Sequence, residues 1–184
     1  DLKKSLNIQG ENIIFDRNNN IITATNGIEI EDLKKSLNIQ GENIIFDRNN
    51  NFLFSKTSTV ITDKYKNQIN TKKFEHKINE KDIKIFDALM KDRENNTFEI
   101  ESAYIDMKSN ILIGKNIIVN LNNKYFNPDN EPRLTGDEIK HDNNFTVISK
   151  GSFTPCKKTD DCPPWELSAD KIVHDSKKKS INYE

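Results

Sequence analysis

The feature that most restricts this chain is a perfect internal repeat. Residues 1–20 (DLKKSLNIQGENIIFDRNNN) recur without a change at 32–51, a period of 31 residues. A unit that can be inserted whole implies a fold in which each unit contacts mainly its neighbours, as in stacked β-architectures. The segments that complete the two units, IITATNGIEIE from Ile21 and FLFSKTSTVIT from Phe52, differ in residues, yet both alternate between apolar and polar. Alternation of period two marks a strand with one buried face. Residues 1–31 and 32–62 therefore read as a tandem pair of strand units.

Looser copies continue down the chain. An apolar residue, a small residue, two polar residues, Ile and a turn rich in Asp and Asn follow one another around Ile39-Gln40-Gly41-Glu42-Asn43-Ile44. The same order returns at Ile113-Gly114-Lys115-Asn116-Ile117, Leu134-Thr135-Gly136-Asp137-Glu138-Ile139 and Leu167-Ser168-Ala169-Asp170-Lys171-Ile172, with weaker copies centred on Leu89 and Ile105. The copies end at Asp47-Arg48-Asn49-Asn50, Asp92-Arg93-Glu94, Asp142-Asn143-Asn144 and Asp175-Ser176-Lys177. Asp and Asn bond their own backbone and tolerate the left-handed region, so these are hairpin turns. The β-branched and aromatic content agrees with an all-β chain of hairpins. Strand side chains alternate faces. Ile13, Ile44, Leu89, Ile105, Ile117, Ile139 and Ile172 are thus expected to face inward, and Ile45, Met90, Asp106, Ile118, Lys140 and Val173 outward.

Composition narrows the function classes. The 184 residues are 34% hydrophobic and 31% charged, with net charge -1. That apolar share exceeds what a disordered chain carries and suits a thin sheet-on-sheet structure with much surface. Nothing in the net charge attracts nucleic acid. Lys177-Lys178-Lys179 reads as a solvated hairpin tip. Two segments interrupt the pattern. Asp63 to Asp82 is expected as a longer strand pair or an exposed loop, and Asn127-Pro128-Asp129-Asn130-Glu131-Pro132 as a turn or strand break. The chain opens mid-pattern at Asp1 and closes at Tyr183-Glu184 inside an apparent strand, which reads as a fragment of a longer protein.

Catalytic and metal chemistry finds no support. Asp16-Arg17-Asn18-Asn19-Asn20 and its twin from Asp47 match the start of a calcium loop, but the sixth position is Ile21 or Phe52 rather than Gly and the twelfth is Gly27 or Ser58 rather than Glu. They read as turns. His141 and His174 hold the same slot of two copies and could stack on adjacent strands, where packing is the better reading than a metal. Nucleophile-elbow, phosphate-loop, zinc-protease and dinucleotide motifs do not occur. Carboxylates sit in turns and at outward positions, so no general acid–base pair stands out and no cofactor is implied. Cys156 and Cys162, with five residues between them and no second pair, do not suit zinc. A local disulfide in an oxidising compartment is expected, with bonding to cysteines outside the chain or free thiols as alternatives.

Residues 134–184 carry a family resemblance. Lys150-Gly151-Ser152-Phe153-Thr154-Pro155-Cys156, then Cys162-Pro163-Pro164-Trp165, then Leu167 to Asp175 resemble the junction region of the outer-membrane lipopolysaccharide-assembly (LptD, organic-solvent-tolerance) family. The upstream repeats resemble its OstA-like units. The resemblance implies that 1–184 is a single periplasmic OstA-like domain at the outer membrane. Its fold would be a folded-over antiparallel β-jellyroll, a β-taco, with 134–184 leading to a C-terminal β-barrel. It implies a non-enzymatic role, receiving lipopolysaccharide from a periplasmic bridge of similar jellyrolls joined by β-augmentation. The lipid would pass to the barrel and its lipoprotein plug. Acyl chains would then contact the inward aliphatics Ile39, Ile44, Phe46, Leu89, Ile105, Ile117, Ile139 and Ile172. Trp165 would pack, cap the groove or anchor the barrel. The Cys156–Cys162 spacing and the perfect repeat depart from the family pattern. Two alternatives stand beside this reading, a bridge component of the same pathway and a repetitive surface adhesin or β-solenoid.

Overall fold

The computed structural model describes residues 6–32, 37–80, 82–127, 129–159 and 165–184. They form β1 (Leu6–Gln9), β2 (Asn12–Asp16), β3 (Ile21–Asp32), β4 (Leu37–Asp47), β5 (Phe52–Ser55), β6 (Thr59–Thr62), β7 (Gln68–Lys77) and β8 (Asp82–Lys91). Then come β9 (Thr97–Asp106), β10 (Ile111–Asn120), β11 (Arg133–His141), β12 (Phe145–Thr154), β13 (Leu167–Asp175) and β14 (Ser180–Tyr183), with one 3₁₀ turn at Asn123–Tyr125. Strand pairing is antiparallel and the described residues contain no α-helix, as the alternating sequence requires.

The chain divides into two compact units, Asp1–Arg93 and Glu94–Glu184. In the first, β1 and β2 lie end to end along one side of β3. Next come β4, then β5 and β6 end to end, then β7 and β8. The second unit is a meander in which β9 to β14 neighbour one another in chain order. The interrupted segment from Asp63 supplies β7, a strand rather than a loop. Its entry turn is held by Asp63, whose carboxylate accepts from the backbone N–H groups of Tyr65 and Asn67 and from the Asn67 side chain.

The long strands β4 and β7 to β12 are broken in phase near the middle. In β8, Ile83 and Ile85 are buried, and then burial slips by one residue to Ala88 and Met90. The slip occurs at Asp87, which is left-handed at φ 47°. Pairing skips the same point: Thr71 opposes Ala88 and Lys73 opposes Phe86. Burial slips likewise at Asn116 in β10 and Lys150 in β12, both with positive φ and both in unbroken register, whereas Asn26-Gly27 in β3, also with positive φ, adds a residue that shifts the register against β4 and leaves the burial phase of β3 unchanged. In the first unit the crease severs two strand lines altogether, between β1 and β2 and between β5 and β6. A left-handed residue bends a strand and re-aims its side chains, with an added residue in β3 and without one in β8, β10 and β12. This line of left-handed residues creases each unit's sheet across its strands, so that the two half-sheets of a unit share its apolar interior.

The recurrent motif encodes this crease. Gly41, Gly114, Gly136 and Ala169 lie on one side of the bend. Two polar residues point out at the bend, and Ile44, Ile117, Ile139 and Ile172 lie on the other side. Small residues are required where the layers close. A Cβ on Gly136 would collide with the Ile148 Cγ2 methyl, and one on Gly151 would lie 2.7 Å from both that methyl and the Thr135 carbonyl oxygen. Within the second unit Phe98, from the first half of β9, packs its ring 4.8 Å from that of His141, from the second half of β11. The two halves of the sheet therefore face each other.

Candidate functional site

The inner face consists of cross-strand rows. At the far side of the crease in the first unit, Ile13, Ala24 and Ile44 oppose one another across β2, β3 and β4. One row nearer the turns, Phe15, Ile22, Phe46, Leu53, His76 and Ile83 follow from β2 to β8. In the second unit the row Ile139, Ile148, Ile172 is buried from β11 to β13. Directly opposed residues share a face, so each row points into the interior of its own unit.

Polar groups that enter the interior are satisfied. The His76 Nδ1 bonds the Asp82 carbonyl oxygen. Ser55 Oγ donates to the Asn43 carbonyl at 2.6 Å. Thr71 Oγ1 accepts from the Phe86 N–H at 3.2 Å and lies within hydrogen-bond distance of the Lys73 and Phe86 carbonyls, 2.7 and 2.8 Å away. It stands at the crease, where the β7–β8 pairing skips Lys72 and Asp87, and the hydroxyl replaces ladder partners missing there. Asp32, Thr59, Asp82, Asn96, Thr146, Thr154 and Asp175 are also buried, and the rest of the core is aliphatic and aromatic.

Six of the eight inward positions expected from the sequence are simple to place. Ile39, Ile44, Ile117, Ile139 and Ile172 are buried, and Phe46 is half-buried, opposite the buried Leu53. Ile105 is also half-buried, opposite Leu112. Leu89 is a correction. It lies on the outer face, 44% exposed, and its neighbour Met90 is buried instead. The left-handed Asp87 two residues earlier shifts the phase, and a motif aligned by sequence carries no sign of that shift. His141 and His174 are not on adjacent strands. Both oppose Thr146 of the strand between them, and the His141 Nδ1 lies 2.9 Å from Thr146 Oγ1.

The turn residues behave as turns. Asp16 Oδ1 accepts from the N–H groups of Asn18 and Asn19, and Oδ2 accepts from the Asn19 side chain at 2.7 Å. Asp47 repeats this with Asn49 and Asn50. The hydrogen bonds from the Asn19 and Asn50 side chains, with those from the backbone, hold both carboxyls below their ordinary value. With both oxygens of each carboxylate engaged in this way, neither loop resembles a cation site.

Among the described residues the inner face of the first unit is exposed beside β1 and β2, which the sequence did not reveal. Among the described residues no strand lies beyond β1 and β2, so the inner face there loses its cover. Ile13 points the same way as the buried Ala24 yet is 48% exposed, and Phe15 is 43% exposed. Leu6 and Ile8, on the other side of the crease, are half-buried. Their repeat counterparts Leu37 and Ile39 are buried.

This fold has a solved counterpart. The chain is similar to the crystal structure of LptH from Pseudomonas aeruginosa, the LptA-homologous periplasmic component of the lipopolysaccharide transport device. The TM-score is 0.54 and the identity 12%, over 70% of this chain and 90% of the other. At that identity the likeness is one of fold, and it gives the architecture as a β-jellyroll. No family model matches the chain, and no curated protein matches it.

The C-terminal segment of the second unit has an aromatic lock. Trp165 meets Phe153 edge-on at 5.9 Å, and Phe153 is 6.5 Å from Phe126. The Trp165 carbonyl accepts from Thr154 Oγ1 at 2.9 Å. Trp165 itself stays half exposed. Cys156 carries a free thiol in the structure. Cys162 lies outside the described residues, so the local disulfide remains a proposal.

Proposed function

We propose that this chain handles lipopolysaccharide in the periplasm, taking acyl chains along its apolar inner face as a non-enzymatic stage of transport to the outer membrane. The observation that carries the reading is the opening of that face beside β1 and β2, where Leu6, Ile8, Ile13 and Phe15 continue in solvent what Leu37, Ile39, Ile44 and Phe46 form inside. Each methylene moved from water onto such a surface contributes roughly 0.8 kcal/mol. The jellyroll likeness to a lipopolysaccharide transport component supports the same role. Cys156, Cys162 and the sequence around Trp165 support the finer assignment, a periplasmic domain that passes lipid to an outer-membrane β-barrel and its plug. A bridge component joined to similar jellyrolls is the second reading, favoured by the likeness to a periplasmic member.

The test is photo-crosslinking in cells that make lipopolysaccharide, with a photoreactive residue at 13, 14, 44, 45, 139 or 140. Adducts at 13, 44 and 139 but not at 14, 45 and 140 are expected. Equal adducts at all six, or none, would remove the lipid reading. A photoreactive residue at 165 separates the two finer readings. Capture of a β-barrel supports the first, and capture of another jellyroll supports the second.

A further inference from the structure

The outer face of the second unit is apolar at a place where an antiparallel sheet normally shows polar residues to water. Leu112, Ile139, Ile148 and Ile172 are buried, so the residues beside them in each strand stand on the opposite face. Register sets those neighbours in one row across β9 to β13. Ile113 opposes Tyr104 on one side and Lys140 on the other, and Val147 opposes Lys140 and Val173. Phe145 lies two residues from Val147 on the same face of β12. Ile113 is 52% exposed and Phe145 41%. Single exposed apolar residues need no explanation, but a contiguous row marks an interaction surface.

The rim of this row is cationic. The turns that join β9 to β10, β11 to β12 and β13 to β14 lie side by side at its end. The Asn110 side chain donates to Asn143 Oδ1 at 2.8 Å, and the Ser176 N–H donates to the Asn144 carbonyl at 2.9 Å. Each turn begins with an aspartate whose carboxylate is turned back onto the chain. Asp106 accepts from the N–H groups of Lys108 and Ser109, Asp142 from those of Asn144 and Phe145, and Asp175 from those of Lys177 and Lys178. Asp175 is buried, and Asp106 and Asp142 are half-buried. Lys108, Lys177 and Lys178 are exposed, as is Lys140 within the row. The next row toward the crease balances, because Lys115 opposes Glu138, and Lys171 pairs with Glu184 at 2.9 Å. At the turns, then, carboxylates face the backbone and ammonium groups face solvent.

We propose that this face, the apolar row around Ile113 and Phe145 with its lysine rim, rests on the surface of an anionic lipid bilayer. Aliphatic and aromatic side chains enter the headgroup region, where tyrosine also settles, and ammonium groups meet lipid phosphates. The lysines favour a bilayer over a protein partner. Lysine is depleted at protein interfaces, where holding its long side chain in one geometry costs rotamer freedom, whereas a fluid charged surface leaves it mobile. This face is opposite to the one proposed to take acyl chains, so the crosslinking experiment and the one below can fail separately.

The test is cosedimentation of the whole chain with vesicles of phosphatidylglycerol and phosphatidylcholine, against vesicles of phosphatidylcholine alone. Binding to the mixed vesicles and little to the neutral ones is expected, weakening about tenfold or more as salt rises from roughly 0.05 to 0.5 M. Lys108→Gln with Lys177→Gln and Lys178→Gln is expected to weaken it about a hundredfold, at about fivefold per lysine. Ile113→Thr with Phe145→Thr is expected to weaken it about tenfold, and threonine keeps the strand propensity. The salt series needs no substitution, so it stands even if a variant folds poorly. Methyl NMR on nanodiscs with nitroxide-labelled lipid locates the contact: Ile113, Val147 and Val173 are expected to broaden more than Ile139, Ile148 and Ile172. Absence of binding, binding indifferent to charge and salt, or stronger broadening at the inner methyls would each overturn the proposal, the last by showing that lipid is reached through the interior. A dimer in solution that Ile113→Thr with Phe145→Thr dissolves, without vesicle binding, would overturn it too and give the face to a second copy.

Discussion

The same eleven residues, LNIQGENIIFD, occupy two places in this molecule and behave differently in each. At 6–16 they form two short strands, β1 and β2, severed at the crease and covered on one side only. At 37–47 they form one continuous strand with neighbours on both sides. Ile13 is 48% exposed and Ile44 is 2% exposed. Intrinsic propensity, side-chain chemistry and register against β3 are the same for both copies. The difference comes from what lies on the far side. β4 receives β5 and β6 there, and their Ser55 hydroxyl reaches the Asn43 carbonyl beside the crease. Strand pairing is completed by context, and a sequence that is core in one place is exposed in another.

The sharpest test of this comparison is hydrogen exchange, because the two copies share their intrinsic exchange chemistry. Amides of Asn43–Asp47 are expected to be protected at least about a hundredfold more than those of Asn12–Asp16, since edge strands open locally while central ones open with the whole unit. Equal protection would mean that β1 and β2 are covered in solution, and the open-edge description would fall.

Side-chain truncation should follow the same division. Ile44→Ala removes a fully enclosed side chain and is expected to cost about 2–5 kcal/mol. Ile13→Ala, at the open mouth, is expected to cost about 1 kcal/mol or less. Paired denaturant melts would show this as a lowered midpoint for the first variant only. Similar losses would place Ile13 inside a closed core.

The crease offers a third contrast, again between a tight place and a loose one. Gly136→Ala puts a methyl group into the Ile148 side chain and is expected to cost about 1–3 kcal/mol. At Gly10, in the first copy, the nearest atom to an added Cβ is an ordinary 3.5 Å away. Gly10→Ala is therefore expected to leave the melting temperature nearly unchanged. A harmless Gly136→Ala would show that the layers do not close there.

Much of this arrangement was legible in the residues. Alternation gave the strands, Asp and Asn gave the turns, and the small-polar-polar-Ile motif marked a recurring structural position. What that position does was not legible. The motif reads as a strand repeat, whereas in space it marks the crease that folds the sheet. The slip of phase at Asp87 is hidden because a polar residue there fits the alternation, which puts Leu89 inward and Met90 outward. Nor could the openness beside Ile13 be read from a segment whose twin is core. Local sequence specifies which face a residue takes between bulges. The bulges themselves, and the number of neighbouring strands, are set by pairing across the sheet.

The smallest effect should come from the turns, and pH gives it a sign. Asp16 and Asp47 sit in the same turn sequence, and in each the carboxylate is held below its ordinary value of 3.8, first by an Asn side chain and then by backbone N–H groups. A carboxyl lowered in the folded state stabilises that state above its unfolded value, and the contribution disappears as pH falls through the folded value. Asp47→Asn keeps one acceptor for the backbone but turns the other into a donor facing the Asn50 side chain, which itself donates. The variant is therefore expected to melt slightly below wild type at neutral pH, with the gap closing as pH falls below the ordinary carboxylate range and the wild-type carboxyl takes up its proton. Asp16→Asn should show the same direction and a smaller gap, because its turn joins β3 to an edge that already opens independently of the unit. A gap for Asp47→Asn that stays constant from neutral to acid would mean that the turn depends on shape alone and not on the ionised carboxylate.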